Sequence, residues 1–165
     1  GFSTVNFSEW PGGLPFILLF SAFAGGCAGS TAGGVKIIRV LLLTLQGLRE
    51  VKRLVHPAGM FPLKLGGSPV TRRISESVWS FLSAYLIIFM VMVILLLIAS
   101  DLDFVTAFSA VGACLNNLGP GLGGVSTDYS ELAAEVKLLL MFAMMLGRLE
   151  IFTLLVLLTP SYWRR

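Results

Sequence analysis

The stretch from Ser77 to Ser100, SVWSFLSAYLIIFMVMVILLLIAS, contains no charged residue. As a helix it extends about 36 Å at 1.5 Å per residue, enough to cross a hydrocarbon core of about 30 Å with some tilt. Burial inside a large soluble protein would require amphipathic partner helices, and the sequence offers none. Only 13% of the 165 residues are charged and 56% are hydrophobic, whereas soluble domains carry about 25% charge. The expected fold class is therefore all-α, polytopic and membrane-embedded.

Charge placement sets the expected topology. Eight basic residues fall between Lys36 and Arg73 against the single acid Glu50, and the chain ends on Arg164 and Arg165. The positive-inside rule puts residues 36–73 and the C-terminus on the cytoplasmic side. Acids gather elsewhere, at Glu9, Asp101, Asp103, Asp128, Glu131 and Glu135, and an acidic outer face favours cations. Topology accounts for the basic stretch, so no nucleic-acid partner is expected. The opening GFSTVNFSEWPGG is loop-like and has no initiator Met, which reads as a piece of a longer protein.

Two segments interrupt the helical pattern at membrane depth. Residues 14–24, LPFILLFSAFA, make an apolar helix too short to span, followed by GGCAGSTAGG at 25–34 and then a second helical half with Val35, Ile38, Leu42 and Leu45 at helical spacing. This is one broken membrane helix. Residues 56–71 carry three prolines and three glycines and read as a connection. After the 77–100 span, Asp101 or Asp103 caps a half-membrane helix over 104–114, and NNLGPGLGG follows, with Pro120 and the glycines breaking the helix. A last helix is expected from Ser130 to Thr159, anchored by Tyr162 and Trp163. Span, half-helix, glycine turn, span is a unit. The first fifty-odd residues look like the tail of another copy.

A bilayer core holds no water, so irregular backbone survives there only if it is buried in protein or lines a wet path. A permeation route for a cation is one reading: carbonyls released at the end of the half-helix replace hydration water, and glycine lets successive carbonyls turn the same way. A re-entrant loop that merely packs is the other. Arg148 lies in the middle of the last helix, where a charge costs at least ~2.5–3.5 kcal/mol on insertion scales, so it must face inward to a partner. Glu150, two positions on, points to another face and is expected to pair with a basic residue of a different helix. Lys36 is expected to snorkel toward the cytoplasmic interface, with ion sensing as its alternative.

An intramembrane enzyme using Ser30 or Cys27 as nucleophile is the competing function class, but the single histidine, His56, lies beside Pro57 at a helix end, far from the loop. Cys27 and Cys114 form no metal or redox pattern. A nucleotide cradle in 25–34 would need a preceding β-strand. Met141, Met144 and Met145 read as packing, and Phe104 and Phe108 as core or lipid-facing.

The segments FSAVGACLNNLGPGLGG, GGCAGSTAGGVKIIR and LGRLEIFTLLVLLTPSYWR resemble, respectively, the fourth pore segment, the third-repeat intramembrane loop and the C-terminal helix of the TrkH/TrkG/KtrB superfamily of potassium transporters. The resemblance runs along nearly the whole chain. It implies helix–pore-helix–helix repeats with re-entrant filter loops, only partly present: residues 1–56 end repeat three, 57–73 connect, and 74–165 form repeat four, with its filter within 115–121. Gly1 would be the third filter glycine, and Asn116, Asn117, Leu118 and Gly119 the fourth filter segment, with potassium held at Asn116 and Asn117 by backbone carbonyls. Two repeats would be absent, so this chain alone would not enclose a pore.

The resemblance also implies that the 25–34 loop lies beneath the filter as a gate, formed by Gly25, Gly26, Gly29, Ser30, Thr31, Gly33 and Gly34. Arg148 would latch it through hydrogen bonds to loop carbonyls; a plain packing salt bridge is the alternative. The implied activity is non-enzymatic potassium uptake, by symport or channel-like flux, at the cell inner membrane. Potassium is the substrate and no cofactor is expected on this chain. The implied partners are the missing N-terminal repeats, a second copy in a homodimer, membrane lipid, and a TrkA-like nucleotide-binding ring contacting the basic 36–73 surface. A sodium-permeable transporter of the same fold is the near alternative; a glycine at position 119 favours potassium.

Overall fold

The computed structural model describes residues 5–57 and 59–163. Helix α1 covers Leu14–Ala24, with Pro15 in its first turn where a missing N–H costs nothing, and it stops at Gly25, whose φ of 70° is open to glycine. Helix α2 covers Ile37–Val55 and ends with Lys52 and Arg53 in its last turn, the sign that suits the negative end of a helix. A two-residue hairpin, β1 (Lys64–Leu65) with β2 (Ser68–Pro69), turns through Gly66 and Gly67, both at positive φ, within the segment expected to be a plain connection.

Helix α3 runs Arg72–Ala99 and is long and apolar enough to cross a membrane. It begins five residues before the uncharged run, because Arg72 and Glu76 pair one turn apart on its exposed start (2.6 Å). Ile87, Ile94 and Ile98 lie on its exposed side, while Tyr85, Phe89, Met92 and Leu96 are buried.

Helix α4, Phe104–Leu115, is the centre of the fold. Asp103 caps it by accepting the Thr106 N–H at 3.2 Å, so of the two candidate acids it is Asp103 that caps. Thr106 through Leu115, apart from Phe108, are buried on every side, and most are small: Ala107, Ser109, Ala110, Gly112, Ala113. Small residues let α1, α3 and a following helix close around it, the packing that holds helices together where lipid removes the hydrophobic drive between them.

The helix expected from Ser130 to Thr159 is interrupted. Its parts are α5 (Ala134–Arg148), α6 (Ile151–Leu158) and the short α7 (Pro160–Trp163). The first interruption falls at Leu149–Glu150, where Glu150 takes a φ of 55°. No glycine or proline stands at that point, so the break is imposed by what Glu150 binds. The second falls where Pro160 follows Thr159, as a proline stop predicts. At the start, Ser130 donates its N–H to Asp128 (2.8 Å) and Lys137 reaches back to the Ser130 carbonyl (2.7 Å), a turn that delays α5 to Ala134. The Ser130 bonds hold the Asp128 carboxyl below its usual range.

Candidate functional site: a helix-end turn against a glycine loop

The helix α4 ends in a Schellman cap. Asn117 adopts the left-handed conformation (φ 54°) that asparagine tolerates; its N–H reaches the Cys114 carbonyl at 3.1 Å and the Leu118 N–H reaches Ala113 at 2.8 Å. Termination therefore comes three residues before Pro120. The cap consumes the carbonyls of Ala113 and Cys114, while those of Leu115, Asn116, Asn117 and Leu118 accept no hydrogen bond from any described residue. The Asn116 side chain is occupied at both ends: Nδ2 donates to the Gly112 carbonyl and Oδ1 accepts from the Tyr85 hydroxyl, each at 2.8 Å. Only its backbone oxygen is left for chemistry. The Gly119 carbonyl accepts from the Tyr129 hydroxyl at 2.8 Å, and Gly119 itself has a φ of 106° that other residues rarely adopt.

Beyond Gly119 the chain returns along α4 and is tied to it. Ser109 Oγ accepts the Leu122 N–H at 2.8 Å, Thr106 Oγ1 accepts the Gly124 N–H at 3.2 Å, and Gly121 donates to the Val125 carbonyl at 2.9 Å. These bonds replace the helical partners that the irregular strand lacks.

The glycine loop abuts this turn. A Cβ on Gly33 would lie 2.6 Å from the Asn116 oxygen and 2.9 Å from Asn117 Nδ2; one on Gly34 would lie 3.1 Å from Asn116 Oδ1. Glycine at 33 is thus demanded by contact with the turn at Asn116 and Asn117. The loop is closed by Val35 N–H to the Phe23 carbonyl (3.0 Å), Ile37 N–H to Gly26 (3.1 Å) and Ala32 N–H to Ser30 Oγ (3.1 Å). Arg148 Nη1 donates to the Thr31 carbonyl at 2.6 Å. Gly29 has open space around it, Gly25 and Gly26 pack inside the loop, and Thr31 contributes its carbonyl. Gly1 lies outside the described residues.

Four features were not legible in sequence. Gly147 is one: a Cβ there would run into the Leu115 carbonyl and lie 2.8 Å from Asn117 Nδ2, so α5 approaches the turn after α4 as closely as the loop does. Tyr85 and Tyr129, which hold Asn116 and Gly119, are two more. The fourth is the partner of Glu150. Its carboxylate binds Lys36 Nζ through Oε1 and Arg39 Nη2 through Oε2 at 3.1 Å, and Arg39 stacks on the Phe81 ring at 4.0 Å. Lys36 does not snorkel. It is buried at the break before α2, 8% exposed, between Glu150 and the Ala28 carbonyl (3.5 Å). The proposed nucleophiles Ser30 and Cys27 lie at the opposite end of α2 from His56, about 28 Å of helix away.

Similarity to known proteins agrees with this architecture. A family model described as TrkH, a cation transport protein, matches residues 1–165. The Trk system potassium uptake protein TrkH of Vibrio parahaemolyticus is 56% identical over 164 residues, covering 99% of this chain and 34% of that protein. The Escherichia coli K12 protein of the same description is 52% identical over 164 residues, again 99% and 34%. The crystal structure of the potassium transporter TrkH from Vibrio parahaemolyticus superposes with a TM-score of 0.89 at 55% identity, covering 99% of this chain and 35% of that one. The chain thus spans about a third of the length of these relatives, 34%, and has the fold of their membrane-transporter segment. By sequence along its entire length and by structure, it belongs to the TrkH family of cation transport proteins.

Proposed function

We propose that this chain supplies one filter segment and the gate of a potassium uptake pore. The observation that carries the reading is the row of backbone oxygens from Leu115 to Leu118, free of hydrogen bonds from the described residues at the end of a half-membrane helix. Carbonyl dipoles can replace the shell of a weakly hydrated cation without a fixed charge, and the negative end of α4 adds to their field. Asn116 and Asn117 would present main-chain oxygens, and Gly119, held by Tyr129, would set the turn. Gly1 would contribute the corresponding oxygen from repeat three.

The loop 25–34 would act as the gate. Its Gly33 touches the filter turn, and Arg148 fixes Thr31. Held so, the loop occupies the path and the guanidinium adds positive charge to it; release of Arg148 would let Gly25, Gly29 and Gly34 reshape the backbone. The remaining repeats, a second copy and a TrkA-like cytoplasmic regulator would complete the assembly in the inner membrane, with residues 36–73 and the C-terminus inside. The test is potassium flux into vesicles holding the full-length transporter. Arg148→Ala should raise flux by roughly one order of magnitude, the effect of losing one charge-assisted bond. Equal or lower flux in a folded variant would contradict the latch.

A further inference from the structure

At the end of the chain's membrane segment remote from the filter, the last turns of α2, the hairpin and the start of α3 enclose three adjoining cavities of about 610, 670 and 320 Å³. Arg49 and Pro62 line all three, and Lys52, Arg53, Lys64 and Arg72 complete their cationic walls. Only two carboxylates answer these five cations. Glu50 accepts from Arg49 at 3.0 Å and from Arg53 at 3.1 Å, and Glu76 binds Arg72. Lys52 and Lys64 form no ion pair among the described residues. Arg49 Nε is buried without a hydrogen-bond partner.

The same cavities have an apolar side. Leu45, Leu48 and Phe61 line the smallest one together with Lys52 and Lys64. Next to it α2 leaves Leu48, Val51, Leu54 and Val55 more than half exposed, between 56% and 82%. Cations above an exposed apolar helix face, where α2 ends and the span α3 begins, match a molecule with a phosphate head and hydrocarbon tails. A free anion would gain nothing from the leucines.

We propose that these cavities bind the phosphodiester headgroup of an anionic phospholipid, with the lysines 52 and 64 as its donors beside the Arg49 wall and the exposed face of α2 against its acyl chains. This goes beyond the transport reading and needs only that Arg49 and Arg72 lie at a membrane face.

The test is native mass spectrometry of the full-length transporter after exchange into micelles containing equal phosphatidylglycerol and phosphatidylcholine. Wild type should retain phosphatidylglycerol selectively, and excess inorganic phosphate should leave it in place. The variant Lys52→Gln/Lys64→Gln touches exposed residues without ion-pair partners, so folding is spared, and a thermal melt checks this. It should lose phosphatidylglycerol at least about fivefold, the factor that one surface cation carries at an anionic membrane. Arg73→Gln, outside the cavities, should retain it. Undiminished retention in the double variant, as when other repeats fill the cavities, overturns the proposal. Equal loss in Arg73→Gln overturns it as well, and displacement by inorganic phosphate reassigns the site to free anions.

Discussion

Lys36 and Glu150 form an ion pair in which both partners hold left-handed backbone, φ 68° and 55°, each capping the second half of an interrupted helix. Such a conformation is costly for both residue types, of order 1–3 kcal/mol each, and persists only where the surroundings over-determine it. Here the pair joins the break before α2 to the break before α6. Arg148, two residues from Glu150, holds Thr31, and Lys36 reaches Ala28, so each interruption sends one contact to the same loop.

Removing the two partners should not be equivalent. Lys36→Met leaves Glu150 paired with Arg39, whereas Glu150→Gln strands a buried lysine and an arginine side by side. Glu150→Gln is expected to destabilise the full-length protein by roughly 1–3 kcal/mol and Lys36→Met by less. The double variant should cost less than the sum of the two. Thermal melts of the four proteins measure the cycle; equal single losses that add would mean the pair carries no coupling.

Close approach makes a second prediction. Gly33→Ala and Gly147→Ala push a methyl into the carbonyls of Asn116 and Leu115 respectively. Overpacking of this kind costs typically ~1–3 kcal/mol, and the displaced atoms are those assigned to the ion or adjoin them. Potassium uptake should fall with either variant while membrane abundance stays near wild type. Gly47→Ala, with open space around it and outside both the loop and the turn, should leave uptake unchanged. If the three alanines behaved alike, contact with the filter turn would not be the reason for glycine.

Gly119 tests the turn itself. Serine at a φ of 106° is strained by ~1–3 kcal/mol, and the strain relaxes only if the turn bound by Tyr129 shifts. The ratio of potassium to sodium flux through Gly119→Ser should drop. An unaltered ratio with normal flux would take Gly119 out of the selective turn.

Helices marked by their own local chemistry were legible in the sequence. Gly25 ends α1 where the pattern places it, one of the two acids offered for the start of α4, Asp103, caps it, and the uncharged run of α3 is unmistakable. The interruption at Glu150 is invisible because a tertiary ion pair with Lys36 and Arg39 makes it, at Arg148, Leu149 and Glu150, residue types that favour helix. The end of α4 was legible only approximately: Pro120 signals a break, but the left-handed Asn117 makes it earlier. Arg148 stood out because a charge in an apolar helix needs a partner. Tyr85, Tyr129 and Gly147 did not, since a tyrosine in a helix or a loop and a glycine in a helix have many ordinary uses and only packing shows what they touch.

The central claim is that potassium meets main-chain oxygen at residues 116–118. Anomalous scattering from crystals of the full-length transporter grown in rubidium locates the ion directly. The account predicts a peak at coordination distance from the carbonyls of Asn116 and Asn117, on the axis shared with the other repeats. A peak elsewhere, with these oxygens turned against neighbouring helices, would contradict it.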